Sequence, residues 1–466
     1  MSDSKFVTCE ELEKQNTFIQ NIKELNSLKK CPTACVITYG CQQNENDSER
    51  LKGMLEAMGY SMTENRETAD VVIFNTCAVR ENAEMKLRGN VGALKSLKRK
   101  RKDMIIAVCG CMVQQEKEAE ILNKKFKHID LIFGTHSLYR FPELLYKSLS
   151  ERIIDVVDIP GRIAEGIPVS HDDKFKAWVS VMYGCNNFCS YCVVPYVRGR
   201  ERSRKHEDVI NEIKTLAENG YVEVTLLGQN VNSYGNDSEN EISFAELLNE
   251  VCKIDGIKRV RFATSHPKDI SDELIDVMAA NSKICPQLHL PFQSGSNKVL
   301  KDMNRGYTRE KYLDTIRKVK EKIPNIALSS DVIVGFPTES NDDFEETISL
   351  LKEVEYDSLF TFIYSKRRGT VAAKIEPVLT ADEVEKNFNK LLETQNEISK
   401  RKNEAFVGKI IEVFVEGRSK NNDLFLQGRT PENKIVNFSG PDTLIGKLIN
   451  VKITDAKTWS LDGEIA

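Results

Sequence analysis

The sequence has no long apolar run, no leader peptide and no marked excess of charge of either sign. None of its apolar stretches approaches the roughly 18 residues that cross a bilayer as a helix, and residues 1–15 are polar and acidic, unlike a secretory or transit peptide. The formal net charge is -4 in 466 residues, so overall charge gives no sign of nucleic-acid binding. We expect a cytoplasmic protein with no membrane partner.

The 12 cysteines also lack the patterns of a disulfide framework or a zinc site. A long chain without a secretory leader does not favour disulfides. Cys185, Cys189 and Cys192 form a C-x3-C-x2-C run, without the second cysteine pair or nearby histidine typical of zinc sites. Iron–sulfur clusters usually have four thiolate ligands, so three thiolates leave one iron open. The run therefore predicts a cluster that binds a further ligand, with zinc and chance clustering as the alternatives.

Short apolar runs alternate with helical periodicity from residue 30 to about residue 155. This alternation predicts a doubly wound parallel sheet. The predicted strands are residues 34–39, 70–75, 104–108 and 129–133, and the predicted helices are residues 48–58, 81–97 and 113–125.

Three further cysteines, Cys41, Cys77 and Cys111, each follow one of the first three predicted strands. Ligands of open α/β sheets bind at the carboxyl ends of the strands, so we expect these thiols to meet and hold a second cluster. The alternative is that each is a small buried residue. Cys109 could replace Cys111 as a ligand, but it belongs to the apolar strand, whereas Gly110 permits a turn that presents Cys111.

Six more strands, alternating with helices, predict a partial (β/α) barrel between residues 174 and 402. The cysteine run follows the first of them and so lies at the mouth of the barrel, where the active sites of such folds are found. Polar or glycine-rich segments at residues 228–230, 265–266, 293–296 and 335–339 predict a pocket there. The six strands are residues 177–182, 222–227, 259–263, 287–290, 327–334 and 358–364.

Short strands dominate residues 406–466 and predict a small β-barrel, the size of an OB-like nucleic-acid module. Acidic and basic residues are equally frequent there, so composition alone does not indicate RNA binding. The predicted strands are residues 410–416, 424–429, 434–438 and 448–456.

Five motifs resemble those of the radical S-adenosylmethionine (SAM) enzymes, specifically the methylthiotransferases. Residues 182–204 (MYGCNNFCSYCVVPYVRGRERSR) resemble their cluster loop. The sequences TYGCQQNENDSER around Cys41, NTCAVRE around Cys77 and CGCMVQQE around Cys111 resemble their N-terminal domain, and residues 428–436 (GRTPENKIV) resemble the RNA-binding TRAM domain. The resemblance implies an N-terminal extension (residues 1–30), a methylthiotransferase N-terminal domain (31–155), a radical SAM core (171–402) and a TRAM domain (406–466).

The resemblance also implies cofactors and their ligands. Cys185, Cys189 and Cys192 would hold a 4Fe-4S cluster that binds SAM, and Cys41, Cys77 and Cys111 would hold an auxiliary 4Fe-4S cluster. All six would be catalytic. The implied SAM contacts are Tyr191, Gly335, Phe336 and Glu339, and the polar strand ends of the predicted pocket add Gly228, Gln229 and Gln293 as candidates. Gln43, where methionine is common, and Cys109, where a residue other than cysteine is common, depart from the pattern without removing a ligand.

The motifs are most similar to the branch of the family that uses two SAM molecules to add a methylthio group to C2 of N6-isopentenyladenosine at position 37 of tRNA. Alternatives are threonylcarbamoyladenosine in tRNA, an aspartate of a ribosomal protein, or an iron–sulfur protein without turnover. Implied partners are the tRNA anticodon loop, an electron donor such as flavodoxin or ferredoxin, and sulfur or cluster-supply proteins. The candidate RNA contacts are Arg198, Arg200, Arg202, Arg204, Arg429 and Lys434; the alternative for each is an intramolecular ion pair.

Overall fold

The computed structural model describes residues 5–78, 81–157, 161–239, 241–420 and 422–466, without the side chains of residues 81–83. The chain forms two compact units. The first contains Met1–Asp173, Trp178–Asn186 and Cys192–Asp208, and the second contains Lys174–Ala177, Asn187–Tyr191 and Val209–Ala466. Among the described residues, no helix combines the length and apolar composition needed to cross a bilayer.

The first unit contains a six-stranded, wholly parallel sheet in the order β2-β1-β3-β4-β5-β6. Its elements are α1 (Cys9–Ser27), β1 (Thr33–Tyr39), α2 (Gln42–Ala57), β2 (Ser61–Met62), β3 (Val71–Thr76), α3 (Glu81–Lys100), β4 (Ile105–Gly110), α4 (Glu116–Lys125), β5 (Leu131–Phe133), a 3-10 helix (Thr135–Arg140), α5 (Phe141–Ser148) and β6 (Ile153–Asp155).

Helices cover both faces of this sheet, which confirms the predicted doubly wound fold. Alternate residues of β3 enter two different cores: Ile73 packs with residues of α1, α2 and α5, whereas Phe74 packs with residues of α3 and α4. A strand buried on both faces reads as a continuous apolar run. This is why β1, β3, β4 and β5 were predicted from the sequence. The short strands β2 and β6 were not predicted, nor was α1, whose N-terminus is closed by a capping box between Thr8 and Glu11.

The central part of the chain contains the strands predicted for a partial barrel. Its elements are β7 (Lys176–Ser180), β8 (Met182–Tyr183), α6 (Val194–Val197), β9 (Arg202–Ser203), α7 (His206–Glu218), β10 (Glu223–Leu227), α8 (Phe244–Cys252), β11 (Arg259–Phe262), α9 (Asp272–Ala280), β12 (Gln287–His289), α10 (Asn297–Asp302), α11 (Arg309–Lys322), β13 (Ala327–Val334), α12 (Asn341–Val354), β14 (Ser358–Ile363) and α13 (Ala381–Glu404), with 3-10 helices at Val231–Ser233, Pro267–Asp269 and Ala372–Lys374.

Within the second unit, β10 pairs with β11 and the other strands form a sheet in the order β12-β13-β14; Lys176 and Ala177, the first residues of β7, belong to the same unit. A parallel bridge between Val260 and Ile284 joins β11 to the residues just before β12. The pairs β10–β11, β12–β13 and β13–β14 are parallel. All six predicted strands are therefore present, and their carboxyl ends carry the loops predicted to form the pocket.

The C-terminal residues form a closed five-stranded barrel in the order β15-β16-β17-β19-β18. Its last strand was not predicted, yet it closes the barrel by pairing with both β17 and β18. The barrel elements are β15 (Ile410–Ser419), β16 (Asn422–Arg429), β17 (Ile435–Phe438), a 3-10 helix (Asp442–Leu444), β18 (Leu448–Ala456) and β19 (Leu461–Ile465).

This small barrel is attached to the amino ends of the parallel strands in the same unit. Arg261 of β11 donates hydrogen bonds to the carbonyl oxygens of Thr430 at 3.0 Å and Pro431 at 2.9 Å. Lys434 pairs with Asp357, just before β14, at 2.7 Å. The carboxyl ends of the strands are thus left to the candidate active site.

Candidate active site

The first unit brings together Cys41, Cys77 and Cys111, as predicted. Cys41 is the N-cap of α2, and Cys77 and Cys111 directly follow β3 and β4. The thiol of Cys41 hydrogen-bonds to Cys77, and both Cys41 and Cys111 are in electrostatic contact with Arg198. In the motif around Cys77, residues 79–80 lie outside the described residues.

A buried hydrogen-bond network fixes the start of α2 beside β3. The side-chain amide of Asn44 donates to Asn75 Oδ1 at 3.0 Å, and that of Asn75 donates to the Asn44 carbonyl oxygen at 2.8 Å. The same Asn75 amide donates to Ser48 Oγ at 3.0 Å. These polar partners explain why α2 begins six residues before the predicted helix: its first turns are buried through hydrogen bonds and carry no apolar periodicity.

Cys109 and Cys111, the two candidates for the third cluster ligand of this set, differ in their position on the backbone. Cys109 lies in β4 and is buried in the core, as predicted. Gly110 has a φ of +101°, and a Cβ atom there would lie 2.4 Å from both Asn75 Oδ1 and the Thr76 carbonyl oxygen. Because only glycine tolerates both the conformation and the close approach, this turn directs the chain to Cys111.

A buried ion pair lies against these thiols. Arg198 donates to Asp47 Oδ2 at 2.7 Å, and their side chains are only 7% and 8% exposed. Val193 and Val197, from the same segment as Arg198, pack against Ala78 and Cys111. The residues that follow Cys192 are therefore anchored to the edge of the sheet where the three cysteines lie.

The thiols experience opposing electrostatic effects. The hydrogen bond from Cys77, outweighing burial and assisted by Arg198, lowers the pKa of Cys41 to about 5, whereas burial raises the pKa of Cys111 to about 11. The lowered pKa of Cys41 favours the thiolate, the form that binds metals, and the all-sulfur donor set fits an iron–sulfur cluster. Within the described ranges, no three Cys, His, Asp or Glu side chains enclose a single-ion site.

The second cysteine group, on the C-x3-C-x2-C loop, is half-buried: Cys185 and Cys192 belong to the first unit and Cys189 to the second. In the second unit, the turn after α10 holds residues 187–191. The side chain of Asn304 donates to the carbonyl oxygens of Asn187 and Phe188 at 3.3 and 3.1 Å. Ser190 donates through its backbone to Met303 and through its hydroxyl to Asp302.

Arg305 completes this turn and contacts the cysteine itself. Its Nη1 donates to Cys189 Sγ at 3.3 Å and to Tyr191 Oη at 3.5 Å, and its Nη2 donates to the Pro291 carbonyl oxygen at 2.9 Å. Burial opposes its charge, but Tyr191, Tyr307 and Cys189 raise the pKa of Arg305 above its usual value. Neither Arg305 nor Asn304 belongs to a motif recognised in the sequence, because only the fold brings them to the loop.

The predicted SAM-contact residues are distributed around the carboxyl ends of the strands in the second unit. Gly228 and Gln229 follow β10, and Gln293 lies between β12 and α10. Gly335, Phe336 and Glu339 follow β13. Tyr191 packs in the same apolar cluster as Phe336 and Met303.

The backbone of these loops is strained. Phe188, Thr264, Gln293 and Asn304 all have positive φ angles, between 47° and 71°, although none is glycine. Such conformations cost roughly 1–3 kcal/mol each and persist only where the surroundings enforce them. Thr264 and Gln293 follow β11 and β12, Phe188 lies in the cysteine loop and Asn304 lies in the turn that holds this loop, and such strained residues are typical of functional sites.

Buried polar atoms converge at the same loops. Among the described residues, no hydrogen-bond partner is found for Asn230 Oδ1, Ser265 Oγ, His266 Nε2 or Glu339 Oε1. Burial, reinforced by Arg305 and Lys268, lowers the pKa of His266 to about 2, so its imidazole is neutral. Burial raises the pKa of Glu339 to about 7. These atoms could hydrogen-bond a polar ligand.

The prediction that six basic residues contact RNA needs a partial correction. Three of the six predicted RNA contacts are buried in ion pairs: Arg198 with Asp47, Arg204 with Glu165 and Lys434 with Asp357. Their charges are neutralised inside the protein, which contradicts a role in presenting charge to RNA. Of the others, Arg200 is exposed, and Arg202 and Arg429 are half-buried.

Replacing Asp47 with asparagine should destabilise the first unit strongly, because Arg198 would remain buried without a carboxylate. Loss of one partner of a buried pair costs about 3–5 kcal/mol. The free energy of unfolding, measured by chemical denaturation, should fall accordingly. The matched control is Asp172→Asn, which removes the half-exposed partner of Lys52 and should cost less than about 1 kcal/mol. Equal effects of the two substitutions would contradict the structural role of the Arg198 pair.

Glu339→Gln should make stability less sensitive to pH. Burial raises the pKa of Glu339 in the folded state, so the wild type loses stability as the pH rises from about 4.5, where the unfolded carboxyl ionises, to about 7. Glutamine stays neutral throughout. The free energies of unfolding of wild type and variant, measured by chemical denaturation, should be similar at pH 4.5, and that of the variant should be higher at pH 8 by at most about 3 kcal/mol. Parallel pH profiles would exclude this ionisation.

Comparison with known families and proteins finds matches along most of the chain. The radical SAM superfamily matches residues 179–351, the uncharacterized protein family UPF0004 matches residues 33–134, and the TRAM domain matches residues 404–466. A protein of Acetivibrio thermocellus is 54% identical over 99% of this chain and 97% of its own length. One of Clostridium botulinum (strain Okra) is 56% identical over 96% and 99%, respectively. Both are named tRNA-2-methylthio-N(6)-dimethylallyladenosine synthase.

A solved structure with a related fold is that of the radical SAM methyltransferase TsrM from Kitasatospora setae, with cobalamin and a 4Fe-4S cluster bound. It is 15% identical, with a TM-score of 0.53, and the alignment covers 74% of this chain and 77% of that one. At this identity the likeness concerns the fold alone. With the closed C-terminal barrel, it confirms the predicted fold class.

Proposed function

Because this chain belongs to the tRNA-2-methylthio-N(6)-dimethylallyladenosine synthase family of radical SAM enzymes, we propose that it adds a methylthio group to C2 of N6-isopentenyladenosine at position 37 of tRNA. The observation that supports this most directly is the convergence of Cys41, Cys77 and Cys111 in a chain that also carries the C-x3-C-x2-C loop. Two separate sets of three cysteines suit a reaction that needs both a radical and a sulfur donor.

The two thiol groups would each hold a 4Fe-4S cluster. Cys185, Cys189 and Cys192 would hold the one that binds SAM, and Cys41, Cys77 and Cys111 would hold the auxiliary one. When bound, these clusters and two SAM molecules supply the radical, the sulfur and the methyl group. Such chemistry is required because the adenine C2–H is not acidic, and general acid–base catalysis provides only about 10²–10⁴-fold.

The protein's own groups would orient the reactants. Arg198, held by Asp47, places a fixed positive charge beside the Cys41 and Cys111 sulfurs. In the second unit, the turn formed by residues 302–305 holds the backbone of residues 187–190. Hydrogen bonds of this kind, around the ligands themselves, orient metal sites and tune their properties.

SAM would bind at the loops that follow the parallel strands. Glu339 Oε2 accepts a 2.6 Å hydrogen bond from the Gly335 amide, while its Oε1 has no partner among the described residues. That oxygen could contact a ribose hydroxyl. The proposed SAM contacts are those expected from the sequence: Tyr191, Gly228, Gln229, Gln293, Gly335, Phe336 and Glu339.

The tRNA would be contacted by cations that the structure leaves at least partly accessible. Arg200 and Arg202 follow the cluster loop, and Arg429 lies in the C-terminal barrel. Single-stranded loops are recognised by stacking of splayed bases and by basic side chains along the backbone. The electron donor, the cluster-supply proteins and the cytoplasmic location stay predictions.

The substrate can be tested with the reconstituted wild-type protein under anaerobic conditions. The protein is incubated with SAM, dithionite and a tRNA carrying either adenosine or N6-isopentenyladenosine at position 37, and the nucleosides are analysed by mass spectrometry. We expect the methylthio product only from the isopentenylated tRNA. Product from a threonylcarbamoylated tRNA instead would overturn the substrate assignment, and absence of 5'-deoxyadenosine would overturn the radical reaction.

Substitutions of single cysteines should distinguish the roles of the two sets of cysteines. Cys189→Ala should abolish SAM cleavage, but the protein should still bind the auxiliary cluster, because Cys189 is not one of the proposed ligands of that cluster. Cys77→Ala should still cleave SAM but form no methylthio product. The measurements are iron and sulfide content, 5'-deoxyadenosine and the modified nucleoside.

Cys109→Ala is the matched control, since Cys109 lies in the core two residues from Cys111, and it should keep both clusters. Normal product formation by Cys77→Ala would show that the auxiliary site is misassigned.

A further inference from the structure

Arg305 is held in one position by its neighbours. Besides the bonds from Nη1 to Cys189 Sγ and Tyr191 Oη and from Nη2 to the Pro291 carbonyl oxygen, its Nε donates to Tyr307 Oη at 3.3 Å. The residue is only 5% exposed. The guanidinium therefore has a defined orientation toward the cysteine sulfur.

The charge of Arg305 has no carboxylate partner. Among the described residues, no aspartate or glutamate oxygen is recorded within 4 Å of its guanidinium, and its acceptors are hydroxyls, a carbonyl oxygen and the Cys189 sulfur. Buried charges are normally paired, because burial of an isolated ion is costly. Of these acceptors, the sulfur of Cys189 is the one that would belong to a cluster, and Arg305 Nη1 lies 3.3 Å from it.

The other thiol group has a different charge balance. Arg198 lies beside Cys41 and Cys111, but its charge is matched by Asp47 at 2.7 Å. Asp47 thus compensates the charge of Arg198, whereas Arg305, which contacts Cys189, has no carboxylate partner among the described residues. The two sites should differ in how readily they accept an electron.

We propose that Arg305 is a positioning residue that raises the reduction potential of the cluster held by Cys185, Cys189 and Cys192. One-electron reduction adds a negative charge to the cluster, and a nearby guanidinium that donates to a ligand sulfur stabilises the reduced form more than the oxidised form. The electron comes from the external donor that the radical reaction already requires. This inference rests on the proposed function, which assigns the cluster to these cysteines.

A purely structural role for Arg305 is the competing explanation. Its bond to Pro291 and its contact with Tyr307 would help to fold the loops around the site even if the cluster potential were unaffected. The two roles differ in a measurable property: only electrostatic tuning changes the potential of a fully loaded cluster.

The test uses the full-length chain with Cys41, Cys77 and Cys111 all replaced by alanine, so that it can bind a single cluster. In this parent, Arg305→Met removes the charge and Arg305→Lys keeps it without the planar fork. The matched control is Arg309→Met, because Arg309 bonds to Glu346 and Ser349 on α12, away from residues 187–191. Iron and sulfide content confirm loading, and a titration with dithionite monitored by electron paramagnetic resonance gives the midpoint potential.

We expect Arg305→Met to reduce the equilibrium constant for one-electron reduction at least about tenfold, since hydrogen bonds to charged groups contribute about 1.5–3 kcal/mol. Tenfold corresponds to a midpoint about 59 mV more negative. Arg305→Lys should lie between this variant and the parent, and Arg309→Met should match the parent.

Two results would overturn the proposal: a fully loaded Arg305→Met variant with the parent's potential, or loss of the cluster from both Arg305 variants while Arg309→Met remains loaded. The second result would establish the structural role. A parent that binds no iron would instead refute the cluster assignment of the proposed function, and this inference with it.

Discussion

The buried ion pair between Arg198 and Asp47 is the interaction on which the first unit's candidate site depends. Arg198 is the C-cap of the short helix α6, whose N-cap Val193 and last residue Val197 pack in one cluster with Cys111. Asp47 belongs to α2, whose N-cap is Cys41. One guanidinium thus connects the residues after the cluster loop to the strand ends that carry the other three cysteines. Because desolvation offsets much of the attraction in a buried pair, its main contribution is to fix position.

A second buried arginine, Arg305, contacts Cys189 of the C-x3-C-x2-C loop in a different electrostatic environment. Arg305 donates to Cys189 and is surrounded by neutral acceptors, whereas Arg198 is neutralised by Asp47. The same type of side chain therefore leaves a net positive charge beside Cys189, whereas the charge beside Cys41 and Cys111 is neutralised by Asp47. In the proposed reaction, the cluster that must accept an electron is next to the uncompensated charge.

Much of the fold could be predicted because its strands are locally encoded. Strands such as β3 and β4 are buried on both faces and read as continuous apolar runs, and the position of each cysteine after a strand then places it at the same sheet edge. Helix α2 begins earlier than predicted because residues such as Asn44 are buried through hydrogen bonds to another strand. Asn44 and its partner Asn75 lie 31 residues apart in the chain, so their hydrogen bonds leave no pattern in the local sequence.

The basic residues illustrate why the remainder of the site could not be predicted. The run RGRERSRK reads as one charged segment, yet Arg198 and Arg204 point into the first unit and Arg200 into solvent. Their partners, Asp47 and Glu165, lie 151 and 39 residues away along the chain. Charge runs reveal how many cations are present, but only tertiary contacts decide which remain available to a ligand.

The position of the C-terminal barrel limits how RNA could be bound by the second unit. Arg259 and Arg261 attach this barrel near the amino end of β11, and Arg429 lies in a groove with residues at the amino ends of β12 and β13. Ser265, Gln293 and Gly335 lie beyond the opposite ends of the strands. The eight residues of β13 span about 26 Å, so Arg429, beside the start of this strand, and Gly335, beyond its end, are too far apart to contact the same nucleotide. In the proposed function, the small barrel therefore contacts a part of the tRNA distant from the modified base and contributes affinity, while the loops at the strand ends determine which base reacts.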